Sequence, residues 1–212
     1  MSLSIYLLRH GETTHSQTGG YCGALNPELT PAGMEMAQAF ADAYGAMDWT
    51  AVFTSPMKRT MATAKPLCEA LGMTPQLREG LKELQYGAWE DRSPDEVKQL
   101  YGPDYNRWMT EPAWNPPTGG ETSLQIASRA NTVIAEIKET YETGNVLVVS
   151  HKATIRIIIC SLLGIDLGRY RDRIEMPVAS LSVIKFGRYG PMLQRLGDRN
   201  HLPKALRERA GT

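Results

Sequence analysis

Two of the four histidines follow short apolar runs and are candidates for chemistry. Residues 3–9 are mostly apolar and β-favouring, and they lead directly into His10 and Gly11. Residues 145–150 repeat the arrangement and lead into His151. Both runs are predicted to be buried strands, and the carboxyl ends of strands in a parallel α/β sheet are where ligands bind. We therefore expect His10 and His151 to share one site.

Arginines near these strand ends indicate that the shared site binds phosphate. Arg9 precedes His10, and Arg59 falls in the first turn of a helix that Ser55-Pro56 is predicted to begin. A guanidinium group fits phosphate oxygens, and a helix N-terminus favours an anion. Arginines can also neutralise the charge on a transferring phosphoryl group without a metal. Arg9, Arg59 and His151 are therefore candidate phosphate ligands, and no metal or other cofactor is expected.

A histidine can serve phosphoryl transfer in two ways. It can act as a general base, or its neutral imidazole can attack phosphorus and carry the phosphoryl group. Attack requires one ring nitrogen to be free while an acceptor holds the other as N–H. These residues alone leave both roles open for His10. The remaining histidines, His15 and His201, are expected in a loop and near the C-terminal end, although either could line the rim of the crevice.

The composition is that of an ordinary globular protein. The 212 residues are 42% hydrophobic and 22% charged, which favours one domain with a substantial core. Twenty-three basic against twenty-three acidic residues leave no net charge, which favours a small anionic ligand over a nucleic-acid or membrane partner. Three cysteines without paired or metal-site spacing favour a reduced, cytoplasmic setting. The apolar stretch 155–165 is short and contains Arg156, so no membrane span is predicted.

Hydrophobic periodicity and helix-start signals predict alternating strands and helices. Further strands are predicted at 50–54 and 179–186, with a hairpin through 192–196 near the sheet edge. Helices are predicted from Pro31, from Ser55-Pro56 to Gly72 with a kink or break at Pro66, and over 95–101, 104–110, 122–142 and 153–163. Residues 11–30 and 171–178 are predicted to be loops.

The segment 76–121 is the least regular part of the chain. It is predicted to be an insertion that covers the crevice and sets substrate choice within a single domain, 1–202. The last ten residues, 203–212, are predicted to form a polar, solvated tail.

Four short motifs stand in order along almost the whole chain: Arg9-His10-Gly11-Glu12-Thr13, Ser55-Pro56-Met57-Lys58-Arg59, Glu83-Leu84-Gln85-Tyr86-Gly87-Ala88-Trp89-Glu90 and Val149-Ser150-His151. Together they resemble the histidine phosphatase superfamily, the phosphoglycerate mutase-like group. The resemblance implies an α/β fold, a three-layer α/β/α sandwich around a mostly parallel sheet with an antiparallel edge. It also implies that His10 is the phosphohistidine nucleophile and Glu83 the proton donor, with Arg9, Arg59 and His151 forming the phosphate pocket.

Two positions depart from the pattern of many family members. Where those members read Arg-His-Gly-Glu-Thr-x-Trp-Asn, this chain has His15 and Ser16 in the last two places. The phosphate contact usually made by that asparagine is then shorter or absent, and Ser16 is a candidate ligand. Lys152 replaces a glycine after the second histidine. Its ammonium group could face a substrate carboxylate or second phosphate, or it could be a solvated residue at a helix start.

The resemblance favours a metal-independent phosphomonoesterase over two alternatives. A mutase dependent on 2,3-bisphosphoglycerate usually has an arginine-histidine pair after the catalytic glutamate, whereas Glu83 is followed by Leu84-Gln85-Tyr86. A non-catalytic phospho-ligand module would be expected to lack the nucleophile or an arginine. The segments 105–108, 119–122 and 200–202 resemble those of phosphoserine phosphatases, although sugar and ribazole-phosphate phosphatases share parts of this pattern. A small polar phosphate ester, either phosphoserine or a sugar or carboxy-sugar phosphate, is the expected substrate, and a homodimer is left open.

Overall fold

A computed structural model describes residues 2–209 and 211 of the protein. Within this part of the chain, no helix combines the length and apolarity needed to cross a bilayer. The strands and helices are β1 Leu3–Arg9, α1 Thr14–Thr18, α2 Pro31–Tyr44, β2 Trp49–Thr54, α3 Lys58–Leu71, β3 Gln76–Leu77, α4 Pro94–Leu100, α5 Gly102–Thr110, α6 Ser123–Thr140, β4 Gly144–Ser150, α7 Lys152–Leu163, α8 Tyr170–Arg173, β5 Leu181–Gly187, β6 Gly190–Asp198 and α9 Lys204–Arg207.

The strands of the described residues form one six-stranded sheet in the order β3-β2-β4-β1-β5-β6. β1 and β2 both pair with β4 in parallel, and β3 pairs with β2 in parallel. β5 is antiparallel to β1, and β6 is antiparallel to β5 at the sheet edge. The predicted hairpin and antiparallel edge are therefore confirmed.

Helices pack on both faces of this sheet. Side chains alternate across each strand, so Val146 and Val148 of β4 belong to one hydrophobic cluster while Leu147 and Val149 belong to the other. The first cluster includes buried residues of α6 and α7, and the second includes those of α2 and α3. The predicted three-layer α/β/α sandwich around a mostly parallel sheet is confirmed. Because β4 is buried on both faces, its sequence is continuously apolar rather than alternating.

The central parallel strands end side by side. Arg9 at the end of β1 is in register with Ser150 at the end of β4. Thr54 at the end of β2 is in register with Val149, one residue earlier on β4. The residues that follow these three strands therefore meet at one edge of the sheet, as predicted.

The backbone of His10 is held from two sides. Its N–H donates to the Ser150 carbonyl at 3.1 Å, and its own carbonyl accepts from the Ala179 N–H at 3.0 Å. The preceding Arg9 N–H donates to the Ser180 carbonyl at 3.0 Å. The end of β4 and the two residues before β5 thus fix the point at which the His10 side chain leaves the sheet.

Helix α3 begins later than predicted. It starts at Lys58 rather than at Ser55-Pro56, and its N-cap residue Met57 makes no side-chain capping hydrogen bond. The Ser55 hydroxyl lies 3.0 Å from Nε2 of His151 instead. The prediction of Ser55 as a helix cap is wrong because a distant side chain engages its hydroxyl.

Helix α3 continues through Pro66 and ends at Leu71. Gly72 follows in the left-handed conformation with φ of 64°, so it stops the helix as predicted. Pro66 removes one backbone donor, but the adjacent Leu67 and Cys68 are buried against the sheet. The packing of this helix face outweighs the lost hydrogen bond, and the predicted break is wrong.

Two segments predicted to be loops contain short helices. In 11–30, α1 is started by a capping box in which the side chains of Thr13 and Ser16 each accept from the other's backbone N–H. In 171–178, the first residues belong to α8, which is anchored by the buried ring of Tyr170. The loop prediction is wrong for these parts because the capping box satisfies backbone groups of α1 and the burial of Tyr170 stabilises α8.

Part of the predicted solvated tail is folded. Lys204–Arg207 forms α9, and Leu206 is only 8% exposed within a cluster that includes Met36. Arg209 pairs with the buried carboxylate of Glu12 at 2.8 Å. The side chains of 204, 205 and 207–209 are exposed, as predicted, but the prediction is wrong for Leu206, which is buried. The helix and the ion pair with Glu12 hold the segment against the rest of the protein. Ala210 and Thr212 lie outside the described residues.

Two glycines allow the loop after His10 to lie directly against the start of α2. A Cβ on Gly33 would lie 2.2 Å from the Glu12 carbonyl oxygen, and a Cβ on Gly11 would lie 2.5 Å from the Gly33 carbonyl oxygen. The Thr30 N–H also donates to the Glu12 carbonyl at 2.9 Å. Backbone packs on backbone here, at a distance that only glycine permits.

Gly33→Ala is expected to lower the free energy of unfolding by about 1–3 kcal/mol, because a backbone oxygen cannot move aside as a flexible side chain can. Denaturant titration measures this change. Gly102→Ala is the matched control, since a Cβ at that helix start meets nothing within 4 Å. Equal stability of Gly33→Ala and the unmutated protein would contradict the close backbone approach.

Candidate active site

A pocket of about 170 Å³ lies at the sheet edge where β1 and β4 end. It is lined by six of the predicted site residues: Arg9, His10, Ser16, Arg59, Glu83 and Lys152. His151 is fully buried beside His10, with the two ring centroids 5.3 Å apart. The structure therefore brings together every residue that the sequence predicts for the site.

His10 is held in the tautomer that nucleophilic attack requires. Its Nδ1 lies 2.7 Å from the Gly11 carbonyl oxygen, and Nδ1 carries the hydrogen because a carbonyl only accepts. Nε2 is then the unprotonated nitrogen. Burial, together with the charges of Arg59 and Arg9, lowers the pKa of His10 well below its ordinary value. The ring is therefore neutral, with its lone pair on Nε2.

The guanidinium groups of Arg9 and Arg59 are both buried in the pocket wall. Arg9 Nη1 donates to the Met176 carbonyl at 2.6 Å, while its buried Nε has no hydrogen-bond partner among the described residues. Arg59 Nη1 donates to the Leu25 carbonyl at 2.8 Å. Burial lowers the pKa of both arginines. Because these cations are desolvated and no carboxylate in the described part of the chain pairs with them, they favour a bound anion.

His151 is buried beside Arg59 and holds its guanidinium group in position. Arg59 Nε donates to Nδ1 of His151 at 3.2 Å, so Nδ1 is unprotonated and Nε2 carries the hydrogen. Nε2 lies 3.0 Å from Ser55 Oγ, which accepts. Burial and the Arg59 charge lower the pKa of His151 well below its ordinary value. Direct donation from His151 to phosphate stays a prediction, since protein groups engage both ring nitrogens here.

The Glu83 carboxyl group lies at the start of α7, and the residue as a whole is 9% exposed. Its Oε1 accepts from the Leu84 N–H at 2.9 Å and from the Thr154 N–H at 3.3 Å, and its Oε2 accepts from the Ala153 N–H at 3.3 Å. Arg129 donates to the Glu83 backbone carbonyl at 3.1 Å. These contacts fix the carboxyl group in the pocket wall, and its role as proton donor stays a prediction.

Ser16 and Lys152, the two positions that depart from the family pattern, have different surroundings. Ser16 Oγ accepts from the Thr13 N–H and donates to the Thr13 carbonyl, both at 2.8 Å, so the hydroxyl closes the capping box of α1. Lys152 is half-buried in the pocket wall, which disfavours the solvated alternative. Burial, Arg9 and Arg156 lower the pKa of Lys152 to about 7. Contact of either residue with substrate stays a prediction.

The other two histidines lie in different places. His15 lines the pocket, and its Nε2 is 3.2 Å from Asp91 Oδ1. His201 packs against Phe40 and Tyr44, with ring centroids 5.5 and 5.9 Å apart, and burial lowers its pKa to about 4. The alternative that His201 lines the rim is wrong, because aromatic packing holds its ring beside α2.

Several pocket residues are not among the predicted site residues, and four of them carry polar groups that could contact a ligand: Tyr86, Arg156, Tyr170 and Arg171. Arg156 interrupts the apolar residues of α7, and this interruption is a signal that could have identified it. Arg171 lies in the unpredicted α8, where its guanidinium carbon is 3.6 Å from the centre of the Trp108 ring. Burial raises the pKa of Tyr86 and Tyr170, which keeps their hydroxyl groups protonated.

The family of the chain is established by sequence comparison. Residues 5–199 match the model of the histidine phosphatase superfamily, branch 1. The chain belongs to the histidine phosphatase superfamily. The family resemblance of the four motifs is thereby confirmed. Relatives in this family are named phosphatases, and the chain is an enzyme of that class.

Named relatives of this histidine phosphatase align over most of its length. Phosphoserine phosphatase 1 of Hydrogenobacter thermophilus is 30% identical over 200 residues, which cover 94% of each chain. The adenosylcobalamin/alpha-ribazole phosphatase of Escherichia coli is 29% identical and covers 76% of this chain and 80% of its own. The crystal structure of the alpha-ribazole phosphatase of Shigella flexneri has a TM-score of 0.84 at 25% identity, covering 92% of this chain and 96% of its own. Since these relatives differ in substrate, membership of the superfamily alone does not select one.

Proposed function

We propose that this histidine phosphatase is a metal-independent phosphomonoesterase that acts on small polar phosphate esters through a phosphohistidine at His10. The observation that supports this best is the hydrogen bond from His10 Nδ1 to the Gly11 carbonyl, which leaves Nε2 unprotonated. Arg9 and Arg59 lie in the same pocket and supply positive charge for the phosphoryl oxygens.

In the first half-reaction, Nε2 of His10 attacks phosphorus and the bond from phosphorus to the ester oxygen breaks. The electron pair of that bond leaves with the alcohol oxygen, which takes a proton from the Glu83 carboxyl group. Arg9 and Arg59 stabilise the charge on the three non-bridging oxygens. The products are the free alcohol and phosphohistidine.

In the second half-reaction, a water molecule attacks phosphorus and the bond to Nε2 of His10 breaks. Glu83, ionised after the first step, accepts a proton from this water. The electron pair of the broken bond returns to Nε2, and inorganic phosphate leaves. Glu83 is again protonated and His10 again neutral, so the cycle closes without another proton source.

The size of the pocket and the named relatives support a small ester. Its volume of about 170 Å³ is below the range of about 300–1,000 Å³ that accommodates drug-sized ligands. The relatives are named as phosphatases of phosphoserine and of alpha-ribazole phosphate. Phosphoserine and sugar or carboxy-sugar phosphates are therefore the first esters to test.

A phosphate-release screen over phosphoserine, 3-phosphoglycerate, sugar phosphates and ribazole phosphate tests the proposal. Release from at least one ester is expected, at a rate that a metal chelator does not change, because arginines supply the charge that a metal would otherwise supply. A parallel assay measures interconversion of phosphoglycerates with and without 2,3-bisphosphoglycerate, and hydrolysis is expected to be faster.

Three outcomes of this screen would contradict the proposal. Loss of activity in chelator would overturn metal independence. Phosphoglycerate interconversion that depends on bisphosphoglycerate and exceeds phosphate release would identify a mutase. Binding of esters without turnover or phosphoenzyme would identify a non-catalytic module.

A further inference from the structure

The pocket contains more positive charge than a phosphoryl group needs. Five lysine and arginine side chains line it together with a single acidic side chain, Glu83, although the chain as a whole has no net charge. Arg9 and Arg59 match the two negative charges of a phosphoryl dianion. The remaining lysine and arginine side chains are Lys152, Arg156 and Arg171.

Among the residues that the structure describes, no acidic side chain forms an ion pair with any of these three cations. Nε of Arg156 and Nη1 of Arg171 are buried, and neither has a hydrogen-bond partner within those residues. A buried donor without a partner is unfavourable, and a ligand oxygen would satisfy it.

The placement of Lys152 and Arg156 on α7 is also unfavourable without an anion. Lys152 is the first residue of this helix, Arg156 lies one turn later, and the first turn contains no acidic residue. Like charges at this spacing repel, and the helix dipole disfavours cations near the N-terminus. A bound anion would relieve both effects.

Arg171 is held in a fixed position by the segment 76–121. Its guanidinium carbon lies 3.6 Å from the centre of the Trp108 ring, and its Nη2 lies 3.0 Å from Met109 Sδ. Trp108 is itself buried in a cluster with Trp89. A cation fixed in this way can select a ligand group by position, which gives the insertion a means of setting substrate choice.

We propose that Lys152, Arg156 and Arg171 form a subsite for a carboxylate on the alcohol part of the substrate. This inference rests on the proposed phosphatase function and narrows it to phosphate esters that also bear a carboxylate. Guanidinium groups suit this ligand because they can donate two parallel hydrogen bonds to one carboxylate. The subsite lies in the same pocket as His10, so both ends of a small ester can bind together.

The charge of the subsite is expected to depend on pH. Burial, Arg9, Arg156 and Arg171 lower the pKa of Lys152 to about 7, and Glu83 acts in the opposite direction. In the free enzyme Lys152 is therefore charged below about pH 7 and neutral above it. Because kcat/KM reports the free enzyme, preference for a carboxylated ester should fall as the pH rises through about 7.

The test compares esters that differ chiefly in the carboxylate: 3-phosphoglycerate against glycerol 3-phosphate, and O-phosphoserine against O-phosphoethanolamine. The unmutated enzyme is expected to prefer the carboxylated member of each pair by about 10- to 100-fold in kcat/KM. Lys152→Gln and Arg156→Gln should each lower that ratio about tenfold, since each removes one charged donor. Lys152→Arg should retain the ratio and make it independent of pH, because arginine stays charged.

Lys98→Gln, which alters an exposed lysine of α4, is the matched control and should leave the ratio unchanged. Equal hydrolysis of both members of each pair would overturn the subsite while leaving the phosphatase function intact. Absence of phosphate release from every ester, with no phosphoenzyme, would overturn the proposed function itself. Retention of the full preference in both glutamine variants would overturn the assignment of these residues.

Discussion

His10→Ala is expected to abolish the acid-labile phosphoenzyme and to lower kcat by about 10⁴-fold or more, as removal of a covalent nucleophile generally does. His151 cannot take over the attack, because Arg59 and Ser55 engage its two ring nitrogens. The measurement is a rapid-quench experiment with a labelled ester, in which protein-bound phosphate is followed before and after acid treatment.

His201→Ala is the matched control for this experiment. His201 is a partly buried histidine that packs on Phe40 and Tyr44, away from the pocket-lining residues. The His201→Ala variant should still form the phosphoenzyme and should hydrolyse the ester at the unmutated rate. Full turnover in His10→Ala would rule out His10 as the nucleophile, and an equal loss in both variants would indicate that folding, not chemistry, is affected.

The meeting of His10 and His151 could be predicted from sequence because both strands are mostly apolar and are fully buried over their last residues. The ends of such strands are visible in the sequence as an abrupt change from apolar to polar residues. The predicted strand 145–150 differs from the observed Gly144–Ser150 by one residue, and 3–9 agrees with Leu3–Arg9. Once both strands are placed in one parallel sheet, proximity of the following side chains is a consequence of topology.

Features that depend on distant partners could not be predicted in this way. Ser55 has the local pattern of a helix cap, but His151, 96 residues away, lies against its hydroxyl. Arg209 has the pattern of a solvated tail, but Glu12, 197 residues away, binds its guanidinium group. A local sequence pattern indicates the conformation that a residue favours with its neighbours along the chain. It does not indicate a distant side chain that folding brings into contact with the same group.

The role of Lys152 illustrates the same limit at the site. The sequence leaves a substrate contact and a solvated position as alternatives, since a lysine at a helix start suits either. The structure places it in the pocket with Arg156 and Arg171. Arg171 enters the pocket through its contact with Trp108, which no spacing along the chain could indicate. Substrate preference therefore depends on tertiary contacts, whereas the candidate nucleophile lies in a short local motif.

Glu83→Gln is expected to lower kcat/KM by about 10²- to 10⁴-fold for alkyl phosphates and far less for p-nitrophenyl phosphate, because only the alkoxide needs a proton to leave. Glutamine keeps the size of the side chain and an oxygen that can accept from the Leu84 N–H. kcat/KM covers the steps up to departure of the alcohol, so it isolates the first half-reaction.

The second half-reaction gives an independent signal in the same variant. With p-nitrophenyl phosphate, Glu83→Gln should release a burst of p-nitrophenol and then turn over slowly, because water attack lacks its base while phosphohistidine still forms. Glu136→Gln is the matched control, since that carboxylate pairs with Arg78 and is not among the pocket-lining residues. Equal slowing of both ester types without a burst would show that Glu83 positions the substrate rather than transfers a proton. The contrast between leaving groups therefore separates acid catalysis from positioning, a distinction that the position of the carboxyl group beside α7 does not make.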